Sequence, residues 1–221
     1  MIRRDKVEEQ WANTIAAIEK LGGNGTELLI DPPASLDAVE KVESSLGHEL
    51  PENFKKVLLT FSKNVSFRWS LPESLQLPEE FKGIFCGHIH WSLDWLVDFE
   101  EGRKDWVRKV FPNPQNPYDI HWHDKLAFYE VGNGDYLSID LSEKNFGAIV
   151  YLSHDDGEGH GLRMASSFEN LIRNWTLIGG VGGEDWQWLP FYDHQASEIS
   201  PVGKAAQRFQ KLIGFSVPES L

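Results

Sequence analysis

Ser35-Leu36-Asp37-Ala38-Val39-Glu40, followed by Leu46-Gly47-His48-Glu49-Leu50-Pro51-Glu52-Asn53-Phe54 and then Leu58-Leu59, reads as two short helices joined by a stop and a restart. Leu36, Val39, Val42 and Leu46 recur at helical spacing. Ser35 can accept a hydrogen bond from an unpaired amide of the first turn, and Gly47 suits the left-handed residue beyond a helix end. Pro51 fits the opening turn of the next helix, where a missing N–H costs nothing, and Phe54, Val57, Leu58 and Phe61 give that helix one apolar face. Two amphipathic helices packed at an angle are expected.

Working outward, residues 126–131 and 136–141 flank Gly132-Asn133-Gly134-Asp135, and glycine and asparagine supply the positive φ of a tight hairpin. Leu137, Ile139 and Leu141 alternate with Tyr136, Ser138 and Asp140, the pattern of a half-buried antiparallel strand. After Gly147 a third strand spans residues 148–152. Ser166-x-x-Glu169 reads as a capping box opening a helix with Phe168, Leu171, Ile172 and Trp175 on its apolar side.

In order and spacing, residues 35–64 together with 126–175 resemble the SUKH superfamily, named partly after fungal regulators of cell-wall assembly and known mainly as bacterial immunity proteins that neutralise toxin domains. The resemblance rests on Leu46-Gly47, Leu50-Pro51, Gly134-Asp135, Asp140 and the Ser167-Phe168 opening of the closing helix. Residues 63–122 match less, and Ser62-Lys63-Asn64-Val65 stands where the family often has Asn-Gly. The resemblance implies an α+β fold around a mostly antiparallel central sheet with flanking helices, and protein binding rather than catalysis. Residues 31–178 are then the core, 1–30 an N-terminal helical extension, and 179–221 a C-terminal extension packed on the core within the same domain.

Composition agrees. A chain of 221 residues with 41% hydrophobic and 25% charged residues has enough apolar side chains for a sizeable core. The segment Met1-Ile2-Arg3-Arg4-Asp5-Lys6 runs into a polar amphipathic helix, and no apolar stretch is long enough to span a bilayer, so no membrane insertion is expected. One cysteine, Cys86, precludes an intrachain disulfide, and the expected compartment is the cytoplasm. A net charge of −13 argues against direct nucleic-acid binding, which needs clustered Lys and Arg. It favours a basic protein partner such as a cationic toxin domain, and is equally the charge of an ordinary soluble acidic protein.

Elsewhere, Val7, Trp11, Ile15 and Ile18 mark an N-terminal helix ending near Gly22-Gly23-Asn24-Gly25, read as a flexible connection. Ser92 is placed as the cap of a helix carrying Leu93, Leu96 and Val97, and residues 111–117, with three prolines, as a surface loop. A glycine-rich joint at 179–183 leads to Glu184-Asp185-Trp186-Gln187-Trp188, where an extended chain puts Trp186 and Trp188 on one side. The final helix is expected from Ser200-Pro201, presenting Val202, Ala205, Phe209, Leu212 and Ile213.

Among nine tryptophans, Trp11 and Trp175 belong to core-facing stripes, while Trp186 and Trp188 are candidate interface anchors. The partner-binding candidates are Asp155, Asp156, Glu158, Glu184, Asp185, Trp186 and Trp188, chosen for charge and loop placement. His88-Ile89-His90 and His121-Trp122-His123-Asp124 each align two imidazoles if extended, and paired imidazoles with a carboxylate can hold zinc; His121 and His123 are the metal candidates, with His154-Asp155-Asp156 and His160 as further donors. Without a helical His-Glu-x-x-His, the histidines are read as surface or structural, and no cofactor is assigned. Cys86-Gly87-His88 is read as a buried, inert thiol, and Gly132-Asn133-Gly134 as a hairpin turn rather than a phosphate loop, with Asp135 accepting local backbone bonds. The expected function is stoichiometric toxin neutralisation; the alternatives are a cell-wall assembly adaptor and a metal-dependent hydrolase using the His-x-His pairs.

Overall fold

The computed structural model describes residues 2–218. Its elements run α1 (Arg4–Lys20), β1 (Asn24–Ile30), α2 (Leu36–Leu46), α3 (Glu52–Thr60), β2 (Asn64–Ser70), β3 (Cys86–Ser92), α4 (Leu96–Lys109), β4 (Lys125–Glu130), β5 (Tyr136–Asp140), β6 (Ile149–Leu152), β7 (Arg163–Ala165), α5 (Phe168–Leu177), α6 (Asp185–Trp188), β8 (Tyr192–Asp193), β9 (Glu198–Ile199) and α7 (Lys204–Ile213). The architecture is α+β with antiparallel pairing throughout. The strands divide into a β1-β2-β3 sheet, a β4-β5-β6-β7 sheet and the β8-β9 hairpin, where one central sheet was expected.

The two-helix signature forms as read. Ser35 Oγ accepts the Ala38 amide at 3.2 Å, and Gly47 ends α2 at φ +80°. Pro51 sits just outside α3, its carbonyl accepting the Lys55 amide, while the Leu50 amide reaches back to Glu43 Oε1 at 2.7 Å. Phe54, Val57, Leu58 and Phe61 are buried. In the inner core α1 lays Trp11 flat on Phe67 of β2, ring centroids 5.5 Å apart, and the indole N–H donates to Thr176 Oγ1 of α5 at 2.9 Å.

Several boundaries differ from the sequence reading. Residues 24–25 begin β1 rather than a flexible link. The cap of α5 is Ser167, whose Oγ accepts the Asn170 amide, one residue beyond the expected Ser166. Ser92 closes β3, and α4 starts at Leu96 and runs fourteen residues. Helix α7 starts at Lys204, leaving Val202 exposed. All five residues of β5 are buried, because α4 and the 110–122 segment cover the face expected to meet water. A bulge between Ala127 and Tyr129 turns both Phe128 and Tyr129 toward the inner core.

Candidate partner-binding site

The β4–β5 turn carries Gly134 at φ +93°, a conformation glycine adopts without steric penalty. Next to it Asp135 is 1% exposed and does far more than close the turn. Its Oδ2 accepts from Asn133 Nδ2 at 2.7 Å and from the Tyr151 hydroxyl, and its Oδ1 accepts the His154 amide at 2.9 Å and faces His154 Nδ1 at 2.7 Å. One carboxylate thus ties the turn to β6 and to the loop that follows, and four partners satisfy the buried charge.

That loop, residues 153–162, is clamped at its base. Ser153 Oγ accepts the Gly157 amide at 2.9 Å, and the Ser153 amide donates to His160 Nδ1 at 3.0 Å. The accepting Nδ1 leaves His160 Nε2–H to donate to the Tyr118 carbonyl at 3.0 Å, with the two rings stacked 3.7 Å apart. Burial pushes His160 below the ordinary imidazole range, in keeping with this neutral tautomer. Tyr118 Oη donates to the Ser153 carbonyl and accepts the Asp156 amide. Asp155, Asp156 and Glu158 are left exposed at the tip.

The second wall comes from α6. Asp185 is 5% exposed; its Oδ2 accepts the Gly159 amide at 2.8 Å, its Oδ1 accepts the Trp186 amide, and its own amide donates to Tyr151 Oη at 3.2 Å. Burial raises its carboxyl, with Asp135 adding in the same direction. The Tyr151 hydroxyl therefore links the Asp135 carboxylate to the backbone amide that opens α6 at Asp185. Together the walls enclose a recess of about 550 Å³ lined by Asn133, Asp135, Asp155, Asp156, Glu158, Asp185, Trp186, Leu189 and Pro190. Among the described residues, no Lys or Arg forms an ion pair with Asp155, Asp156, Glu158 or Asp185.

The structure brings five of the seven partner-binding candidates to one recess and places Glu184 and Trp188 outside it. Residues 185–188 form a helical turn rather than a strand, so Trp186 and Trp188 diverge. Trp186 is half-exposed at the rim, whereas Trp188 is fully buried, donates to the Gly183 carbonyl and packs against Tyr151. Glu184 turns away and accepts from Gln187 Nε2. Asn133, Tyr151, His154, His160 and Tyr118 were not foreseen as a set. The run His154-Asp155-Asp156 is the local sign, but Tyr151 and His154 lie 16 and 19 residues from Asp135, and Tyr118 lies 42 from His160, separations that carry no sequence period.

The histidine pairs are not assembled into a site. His121 lies in a 3₁₀ turn at Asp119–Trp122, edge-on to His160, while His123 Nε2 contacts the Phe111 carbonyl at 3.0 Å, so the expected strand alignment is lost. His88 and His90 do share a strand face, but His88 Nε2 accepts from Arg68 at 3.0 Å and its Nδ1 meets Tyr129 Oη at 2.7 Å. Burial, then the neighbouring Arg68, pushes His88 down to about 3. Asp135, His154 and Asp155 each place one donor atom within 4.8 Å of the others, though Asp135 already serves the four partners above. Cys86 is half-buried beside Gln187, and burial raises its thiol.

No helix among the described residues is long and apolar enough to cross a membrane. The SMI1 / KNR4 family (SUKH-1) matches residues 33–174, more than half of the chain, from α2 into α5. No curated protein matches the chain.

Proposed function

The chain belongs to the SMI1 / KNR4 family (SUKH-1), and from that premise we propose that it is a non-catalytic, cytoplasmic protein-binding module, an immunity protein that neutralises a cognate toxin by stoichiometric occlusion. In this reading residues 31–178 are the family core, and residues 1–30 and 179–221 complete the same domain. The observation that carries it is the recess. Two segments far apart in sequence place Asp155, Asp156, Glu158, Asp185 and Trp186 together without a Lys or Arg partner among the described residues. A toxin acting on a polyanion presents a basic active site, and an anionic recess speeds encounter with it and rejects anionic competitors. An indole at the rim supplies an apolar anchor.

The recess straddles the limit of the family match: residues 133–158 lie inside it, and 185–190 outside. Partner choice would then reside in how this chain's own C-terminal segment completes a wall begun by the shared core.

The test is calorimetric titration against the toxin domain encoded beside its gene. The expected result is one-to-one binding that weakens at high salt and falls about tenfold or more in Asp155→Asn/Asp156→Asn/Glu158→Gln. Binding that ignores both salt and this variant would reject the recess as the occluding surface. Binding only to envelope-assembly proteins would replace the immunity role with an adaptor role.

A further inference from the structure

Beyond the recess, on the far side of residues 82–85, lies a groove of about 630 Å³ lined by Leu71, Leu75, Leu77, Ile84 and Phe85, with Glu73 and Lys82 at its margin. Leu71, Leu77 and Ile84 rest on the inner core. Leu75 and Phe85 belong to neither apolar cluster, and Phe85 is 53% exposed, so the groove presents apolar surface that the core does not take up.

Groove and recess share one wall. Trp186 Cδ1 lies 3.2 Å from where a Cβ on Gly83 would stand, so the recess indole rests on the same backbone that carries Ile84 and Phe85 on its groove side. This wall is held in place. The Phe85 and Cys86 amides reach Gln187 Oε1 at 3.3 and 3.4 Å, and the Phe85 carbonyl accepts the Leu71 amide at 2.9 Å.

We propose that groove and recess form one docking surface, occupied by a cationic, amphipathic segment of the partner protein. Its apolar side chains fill the groove beside Leu75 and Phe85, and its basic side chains cross the wall to the carboxylates, with a guanidinium able to stack on Trp186. Charge selects this occupant. Among the described residues no Lys or Arg pairs with Asp155, Asp156, Glu158 or Asp185, Lys82 is already tied to Glu79, and the whole chain carries −13. The proposal rests on the protein-binding reading above and extends it to a surface outside the acidic loop.

Two labelled peptides of equal length and charge, one alternating arginine with leucine and the other arginine with serine, test it by fluorescence anisotropy. Leu75→Ser/Phe85→Ser is expected to weaken the arginine–leucine peptide about tenfold and to leave the arginine–serine peptide unchanged. Asp155→Asn/Asp156→Asn/Glu158→Gln is expected to weaken both. Unmodified thermal melting in each variant checks the fold. An arginine–leucine peptide that fails to bind, that is insensitive to the groove variant, or that loses affinity in parallel with the serine peptide overturns the proposal. If only the acid variant is without effect, the recess reading fails, and the cationic occupant with it, while the groove variant still reports whether an apolar segment docks there.

Discussion

The two faces of the β4-β5-β6-β7 sheet are buried by different physics. Its inner face sets Leu126, Phe128, Leu137, Ile139 and Ile149 against α3 and α5, where Phe168 meets Phe54 and Phe128 edge-on at centroid distances of 4.6 and 5.0 Å. Its outer face buries Ala127, Tyr136, Val150 and Leu152 under α4 and Trp122, but with charges among them. Arg103 pairs with Glu100 at 2.7 Å, the two side chains 7% and 2% exposed, and Lys125 pairs with Asp140 at 3.4 Å. Glu100 Oε2 also accepts the Ala127 amide, and Arg103 Nη1 donates to the Trp122 carbonyl, so these ions fasten α4 to one register of β4. Dispersion on the inner face tolerates any shape that fills the space; the outer face accepts only matched partners.

This contrast can be broken by paired substitutions. On the outer face Arg103→Met leaves the buried Glu100 carboxylate with only the partly exposed Lys104, 3.9 Å away, as a cation and is expected to cost about 3 kcal/mol, whereas Glu100→Leu/Arg103→Met, which removes both charges but also the acceptor of the Ala127 amide, recovers part of the loss. On the inner face Phe168→Ala is expected to cost about 3–5 kcal/mol, and adding Phe54→Ala deepens the loss. Urea denaturation of the four variants decides: a double variant at 100 and 103 no more stable than Arg103→Met alone removes the distinction between the faces.

A smaller effect sharpens the comparison at the recess, where the Asp135 carboxylate is buried among Asn133, Tyr151 and His154 with no Lys or Arg beside it among the described residues. Asp135→Asn turns an amide N–H₂ toward groups that are themselves donors and is expected to cost about 1–3 kcal/mol. Amide hydrogen exchange in residues 153–162 should rise with it; unchanged exchange there would show that the carboxylate does not anchor the loop.

The smallest effect is acid sensitivity. Burial lowers His88, His90, His121 and His160, so the unfolded chain takes up protons first as pH falls below about 6.5, the unperturbed imidazole value. The stability contributed by neutral imidazoles is complete above that pH and declines toward the lowered folded values, which for His88 means toward about 3. Denaturation midpoints should therefore be lower at pH 5.5 than at pH 7.5, and His88→Gln should narrow that difference. An equal difference in His88→Gln would remove this residue from the account.

Much of the inner core was legible because its elements repeat with a period. Leu36 to Leu46, Phe54 to Phe61 and Phe168 to Trp175 mark helical stripes, and the Gly132–Asp135 turn marks a hairpin. The β1-β2-β3 sheet was harder to read. The outer face of β2 and β3 carries Ser66, Arg68, His88 and His90, which signal chemistry more than a strand. The length of α4 was masked by Gly102, a poor helix residue that is needed because the Tyr136 hydroxyl lies 2.5 Å from where its Cβ would stand. At the recess the acids and Trp186 were visible as residue types. Their assembly was not, since it depends on Asp135 reaching His154 and Asp185 reaching Gly159 across 19 and 26 residues.

The loop clamped by Ser153, His160 and Tyr118 behaves as a cassette. Its hydrogen bonds close at the base, and of the three acids at the tip Asp155 still accepts from Ser153 Oγ at 3.0 Å, whereas the carboxylates of Asp156 and Glu158 take no part in the clamp. Substitution at Asp156 and Glu158 would change the surface a partner meets while the Ser153–His160–Tyr118 frame is inherited intact, so recognition could be respecified in a few codons of one loop.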